Sequence, residues 1–108
     1  MHTRRPLLAA AALFCVPLPL LGQDVPKRSP TWESHCAVCH GPDGKANTEE
    51  GKKKGARNLT DAKWQALVSD DRLASSIRRG RDKMPSFGKK LTEAQVKGLI
   101  EEVRSLVR

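Results

Sequence analysis

The chain is poor in the residues from which small proteins build a core. It has no tyrosine, two tryptophans and two phenylalanines among 108 residues. A domain of this size buries only about 60% of the surface that its unfolded chain exposes. Three cysteines are too few for a disulfide-rich scaffold. The length provides for one small domain, which argues against an enzyme with two lobes around a substrate cleft.

Residues 1–22 differ sharply in composition from the rest of the chain. They contain no acid, a basic pair at Arg4-Arg5, and an apolar run from Leu7 to Val16. This pattern predicts a secretory signal peptide that is cleaved after Gly22, since the apolar run is too short to cross a bilayer comfortably. A lipid anchor on Cys15 is the rival interpretation.

Removal of these 22 residues would leave 86 that are lean in apolar side chains. Two of the 20 lysines and arginines would go with the signal, so 18 basic residues would face 12 acidic ones, a net charge of +6. Such a chain would struggle to offset a backbone ordering entropy of about 1–2 kcal/mol per residue. We therefore expect a non-protein group to complete the core. Residues 23–30 are expected to form a short lead, and residues 31–108 the domain.

The segment Cys36-Ala37-Val38-Cys39-His40 indicates which group this is. C-x-x-C-H is the attachment signature of c-type haem, in which two thiols bind the porphyrin and the following histidine binds the iron. A thioredoxin-like motif would follow a β-strand, which the sequence does not predict here. A zinc site would need four ligands, and only Cys36, Cys39 and His40 are close. The motif predicts one covalently bound haem c.

The second axial ligand of the iron is predicted from a short inventory. Beyond residue 22 the candidates are His35, which adjoins the attachment cysteine Cys36, and Met84, the one methionine there. Met84 lies 44 residues beyond His40, and Pro85 disfavours a helical conformation at Met84. We expect Met84 to lie in an extended loop and to bind the iron opposite His40.

The spacing of apolar residues predicts an all-α fold with about four helices. They are expected at residues 29–36, 60–67, 69–80 and 91–108. The last is the clearest, because Thr92 and Gln95 make a capping-box pair at its start. Residues 41–55 have scarcely an apolar side chain and are predicted to form a solvated loop. No segment predicts a strand.

Together these features resemble the class I cytochrome c family in its small bacterial monohaem form. The resemblance runs from about Thr31 to the C-terminus and rests on CAVCHGPDGK (36–45), GARNLT (55–60), IRRGRDKMPSFGKKLT (77–92) and VKGLIEEVRSLV (96–107). It implies a small fold wrapped around one haem, with thioether bonds from Cys36 and Cys39 and axial bonds from His40 and Met84. The expected haem-pocket residues are Leu59, Trp64, Pro85 and Leu99.

One departure from the family pattern concerns the proximal histidine. Many members have a proline whose carbonyl helps to orient that histidine, whereas this chain has Arg57 and Asn58 near the same place. We expect Pro42 or the backbone near Ala56 to supply the acceptor.

A second departure lies in the terminal helix. Many members have an aromatic residue where this helix crosses the first one, and this chain has Glu102 near that position. The crossing is expected to depend on Trp32 packed against Leu99 and Val103.

A six-coordinate haem has no open position for a substrate, so the resemblance implies a soluble periplasmic electron carrier rather than an enzyme. Basic residues flank Met84 on both sides, and we expect them to steer docking to an acidic patch on a redox protein. They are Arg78, Arg79, Arg81, Lys83, Lys89 and Lys90. A generally basic, solvated surface is the alternative. We expect a monomer with no nucleic-acid partner, and membrane contact only through membrane-bound redox proteins.

Two other functions stay open. A dedicated cytochrome subunit of one dehydrogenase or oxidase would use the same chemistry. A five-coordinate haem that binds gases or reduces peroxide would require Met84 to be absent from the iron, and the sequence near Met84 offers no distal histidine or base for that chemistry.

Overall fold

The computed structural model describes residues 27–107 and the isolated Thr3. The rest of the predicted signal peptide, with Cys15, lies outside the described residues, as do residues 23–26 of the lead. Six α-helices are described: α1 Pro30–His35, α2 Ala37–His40, α3 Glu49–Lys54, α4 Ala62–Leu67, α5 Asp70–Arg79 and α6 Glu93–Arg104. Within residues 27–107 the one β-type pairing is an isolated bridge between Arg81 and Met84. The all-α prediction is confirmed.

Five of the six described helices, all except α2, begin where a hydroxyl or carboxylate side chain satisfies their first backbone N–H groups. Ser29 accepts from the Trp32 amide at the start of α1, and Ser69 accepts from the Arg72 amide at the start of α5. Thr92 forms the expected capping box at the start of α6. These three predicted helix starts are therefore confirmed by the caps themselves.

The prediction of a solvated loop over residues 41–55 is wrong, because this stretch contains α3. Thr48 caps the helix by accepting from the Gly51 amide, and Gly55 ends it in the left-handed conformation at φ 64°. The buried residue of α3 is Gly51, which lies against the Cys39 carbonyl oxygen of α2. The helix packs through its backbone, so it has no apolar stripe for a periodicity search to find.

The core lies where α1, α5 and α6 meet. Trp32 is 1% exposed, and its Nε1 donates to the Gly41 carbonyl at 3.0 Å. Leu99 and Val103 of α6 belong to the same buried cluster, as expected for the helix crossing. The crossing also has a polar part that the sequence did not predict, in which the Glu102 carboxylate accepts from the Ser29 amide at 2.9 Å and from its hydroxyl at 2.6 Å.

Candidate functional site

A cleft of about 870 Å³ lies between the attachment motif and the loop that follows α5. Its lining includes Cys36, Cys39 and His40 from the attachment motif and Met84 from the loop after α5. The four residues expected in the haem pocket line the same cleft: Leu59, Trp64, Pro85 and Leu99. The fold therefore brings together the thiol, imidazole and thioether groups that the sequence singled out.

The two cysteines lie at the junction of α1 and α2. Cys36 separates the helices, and its carbonyl accepts from the His40 amide at 2.9 Å, so the motif forms one helical turn. Both cysteines are free and half-buried. Burial, together with the smaller effects of the nearby Glu102 and Cys39, raises the pKa of the Cys36 thiol to about 11. Thiol–disulfide catalysts depend on a lowered pKa, so this environment does not suit a thioredoxin-like function.

His40 is held by a backbone carbonyl. Its Nδ1 lies 3.1 Å from the Arg57 carbonyl oxygen, which can only accept, so Nδ1 carries the proton and Nε2 keeps its lone pair. Burial lowers the pKa of His40, while the Arg57 hydrogen bond opposes this shift. The result is a neutral imidazole with one nitrogen available to a metal.

The acceptor lies in the region near Ala56, one of the two places expected, and it is the carbonyl of Arg57. Pro42 is not that acceptor, and its carbonyl instead accepts from Arg28 Nε at 2.9 Å. Arg28 is itself buried, at 7% exposed. A carbonyl orients the histidine whatever side chain its residue carries, so the missing proline does not remove this contact.

Met84 is fixed by a tight turn rather than by the extended loop that was expected. Its amide donates to the Arg81 carbonyl at 2.8 Å, and its carbonyl accepts from the Arg81 amide at 3.1 Å. Asp82 takes a positive φ of 49° within this turn. At Gly80 (φ 76°) a Cβ would lie 2.6 Å from the Met84 carbonyl oxygen, so a side chain there would displace the turn.

The predicted docking residues do not all lie at the cleft. Arg81 and Lys83 line it, together with three basic residues that were not expected in docking: Lys54, Arg57 and Arg72. Arg78 instead pairs with Glu93 beside a shallow groove between α5 and α6. Arg79, Lys89 and Lys90 are exposed but are not part of the lining.

Apolar residues also reach the cleft without prior indication from the sequence. Phe87 is buried and contacts His35 edge-to-face, with 5.5 Å between ring centroids. Val38 and Leu67 line the cleft yet are 59% and 87% exposed. Phe87 could have been proposed from its position three residues after Met84. No sequence pattern identifies exposed apolar residues at the mouth of a cleft.

The comparisons with known proteins agree with this geometry. The family model described as "Cytochrome C oxidase, cbb3-type, subunit III" matches residues 23–101. The chain belongs to this family of cytochrome c domains. Haem c is accordingly its covalently bound cofactor, and the donor groups gathered around the cleft fit it. Electron transfer is the chemistry of such domains.

The curated relatives of this cytochrome c domain are longer proteins. It is 35% identical over 81 residues to the cbb3-type cytochrome c oxidase subunit FixP of Azorhizobium caulinodans, covering 74% of this chain and 26% of that protein. It is 34% identical over 86 residues to FixP of Bradyrhizobium diazoefficiens, covering 79% and 28%. The chain thus spans about a quarter of the length of these relatives.

A solved structure of a cytochrome matches this domain over nearly the whole length of the solved chain. The KustC0563 c-type cytochrome is 41% identical, with a TM-score of 0.68 over 71% of this chain and 93% of that one. A point mutant of the same cytochrome gives a TM-score of 0.65 at 42% identity, over 69% and 92%. The fold around the cleft is therefore that of a small c-type cytochrome. In residues 27–107 no helix is long and apolar enough to span a membrane.

Proposed function

We propose that the chain is a one-electron carrier in which Cys36 and Cys39 bind haem c through thioether bonds, and His40 and Met84 bind the iron. The observation that carries the proposal is the single cleft lined by all four side chains, with His40 Nδ1 engaged and Nε2 left for a metal. When bound, the haem supplies a metal centre that gains and loses one electron.

The residues around the ligands have distinct roles in this proposal. The Arg57 carbonyl orients the imidazole of His40 and makes it a better electron donor. A methionine sulfur favours ferrous iron more than a second histidine would, and so raises the reduction potential. The apolar lining limits the access of water to the centre, which also favours the less charged ferrous state.

The mouth of the cleft is the proposed docking surface for redox proteins. Val38 and Leu67 give it exposed apolar contacts. Its lining carries a net positive charge, because two acidic residues, Asp61 and Asp82, stand against five basic ones: Lys54, Arg57, Arg72, Arg81 and Lys83. This combination suits an acidic partner, since opposite charges steer the encounter and a small apolar contact brings the centres close. Export to the periplasm, with cleavage after Gly22, remains part of the proposal, and the mass of the exported holoprotein tests it.

The decisive experiment is the absorption spectrum of the holoprotein with and without Met84. The ferric wild-type protein should be low-spin, with the weak long-wavelength band of an iron–sulfur bond. Met84→Ala should lose that band and lower the reduction potential. Ile100→Ala is the control, because Ile100 packs against the core without lining the cleft, and it should keep the band. A high-spin wild-type spectrum would contradict the carrier and favour the five-coordinate gas-binding or peroxidase protein.

The comparisons support a second candidate, a dedicated electron-transferring subunit of an oxidase. The curated relatives are named as cbb3-type oxidase subunits, although this chain matches only about a quarter of each. The site would be the same, and the difference would be permanent association with one complex. Isolation from the native membranes and periplasm separates the two: a carrier should be recovered free, and a subunit should copurify with its oxidase.

A further inference from the structure

Gln65 is a buried polar residue that does not line the haem cleft. It is 5% exposed, and its Nε2 donates to the Leu59 carbonyl and to the Val103 carbonyl, each at 2.8 Å. Its Oε1 accepts from Arg104 Nη1 at 3.0 Å. The amide group of Gln65 therefore uses both of its donors on the backbone of two residues that do line the cleft, Leu59 and Val103.

Arg104 fixes Gln65 from the other side. Its Nη1 also donates to the Gln65 carbonyl at 2.7 Å, its Nη2 donates to the Val68 carbonyl at 2.6 Å, and its Nε donates to Asp70 at 2.8 Å. The guanidinium thereby joins the end of α6 to the end of α4 and the start of α5. The position of the Gln65 side chain is thus determined by three helices.

Residues 56–59 form a short strap of backbone between α3 and α4, and this strap carries the acceptor of His40. Leu59 anchors one end, because its amide donates to the Gly44 carbonyl at 2.8 Å and its carbonyl accepts from Gln65. Two residues earlier, the Arg57 carbonyl faces His40 Nδ1. The Arg57 guanidinium stacks over Trp64, the neighbour of Gln65, with its Cζ 5.0 Å from the ring centroid.

We propose that Gln65, held by Arg104, is a positioning residue that keeps the Arg57 carbonyl against His40 and so tunes the reduction potential. This inference rests on the proposed role of His40 as an iron ligand. The hydrogen bond increases the electron density on the imidazole, which stabilises the ferric state. Only one residue, Asn58, separates the anchored Leu59 from Arg57, so release of Leu59 should lengthen that hydrogen bond and raise the potential.

The test is Gln65→Met in the holoprotein, because methionine keeps the length of the side chain and removes both donors. The reduction potential should shift upward, and the Nδ1 proton of His40 should exchange with solvent faster in the NMR spectrum of the ferrous protein. Gln95→Met is the matched control. Gln95 accepts from the Thr92 amide in the capping box of α6, so its replacement should lower the melting temperature and leave potential and exchange unchanged.

If Gln65→Met changes neither the reduction potential nor the exchange of the His40 proton, Gln65 has only a structural role and the proposal is overturned. If that variant yields no folded holoprotein, Arg104→Lys is used, which keeps the charge and loses the fork of donors. Arg104→Lys should also raise the reduction potential. A potential equal to that of the wild-type protein would overturn the proposal. Failure of the proposed function is distinguishable, because it would appear in the wild-type spectrum as missing histidine–methionine ligation.

Discussion

Glu102 shows how one residue can replace a larger one at a helix crossing. Its carboxylate accepts two hydrogen bonds from Ser29, which also caps α1. The contact spans 73 positions of sequence, so it ties the first helix to the last. An aromatic side chain would achieve this by buried area, whereas here two hydrogen bonds to a charged acceptor are added to the packing of Trp32.

Glu102→Ala should therefore destabilise the holoprotein by about 2 kcal/mol, because a hydrogen bond to a charged group contributes about 1.5–3 kcal/mol and the half-buried Ser29 partly regains water when Glu102 is removed. Glu101→Ala, one residue earlier and exposed, should change stability by no more than about 0.5 kcal/mol. Chemical denaturation of both variants measures the difference. Equal effects would mean that the Ser29 contact adds nothing at this crossing.

At the scale of elements, α3 shows why the sequence predicted some helices and missed another. The starts of α5 and α6 each combine a capping side chain with an apolar stripe, and the start of α1 combines one with the buried Trp32. All these signals are local in sequence. In α3 the cap at Thr48 is present, but the buried contact is made by Gly51. A glycine in a run of lysines and acids carries no apolar signal, since its packing depends on the backbone of α2.

The same distinction applies to the site. C-x-x-C-H and the Met84-Pro85 pair are short patterns whose chemistry is legible in sequence. The carbonyl of Arg57 and the bridge made by Gln65 are not, because any residue supplies a carbonyl and only the fold decides which one faces His40. The ligand candidates could be predicted, whereas the sequence narrowed the acceptor of His40 only to two places and gave no sign of the role of Gln65.

Two helical glycines test this account of α3. A Cβ at Gly51 would overlap the Cys39 carbonyl oxygen, whereas a Cβ at Gly98 in α6 would meet no atom within 4 Å. Gly51→Ala should cost at least about 2 kcal/mol through overpacking, and Gly98→Ala should stabilise by about 0.5–1 kcal/mol through the better helix propensity of alanine. Thermal melts of the two holoproteins should move in opposite directions. A melting temperature of Gly51→Ala at or above wild type would refute the backbone packing of α3 on α2.

For the whole molecule, the scarcity of aromatic residues follows from where the core lies. Seven of the eleven residues in the buried cluster also line the haem cleft. They are Trp32, Leu59, Leu73, Ile77, Phe87, Leu99 and Val103. On the proposed assignment, the protein interior is one wall of the cavity that the porphyrin occupies, and few large side chains are needed within it.

The distribution of charge is also a property of the whole molecule. It decides whether the basic residues form a local docking surface or a generally basic exterior. Arg81 and Lys83 line the cleft, and Lys89 and Lys90 lie off it. Hexacyanoferrate(III), a small trianionic oxidant, is attracted by positive charge at the mouth of the cleft proposed for the haem. Replacement of Arg81 and Lys83 by Glu should slow its reaction with the ferrous protein about tenfold at low ionic strength.

The matched control replaces Lys89 and Lys90 by Glu, which changes the net charge by the same amount at another place. At an ionic strength of about 0.1 M the screening length is about 10 Å. The difference in reaction rate between the two double variants should therefore shrink as salt is added. A cationic oxidant should show the opposite order of rates. If both double variants slow the anionic oxidant equally, the net charge alone governs the encounter and the basic residues form no docking surface at the cleft.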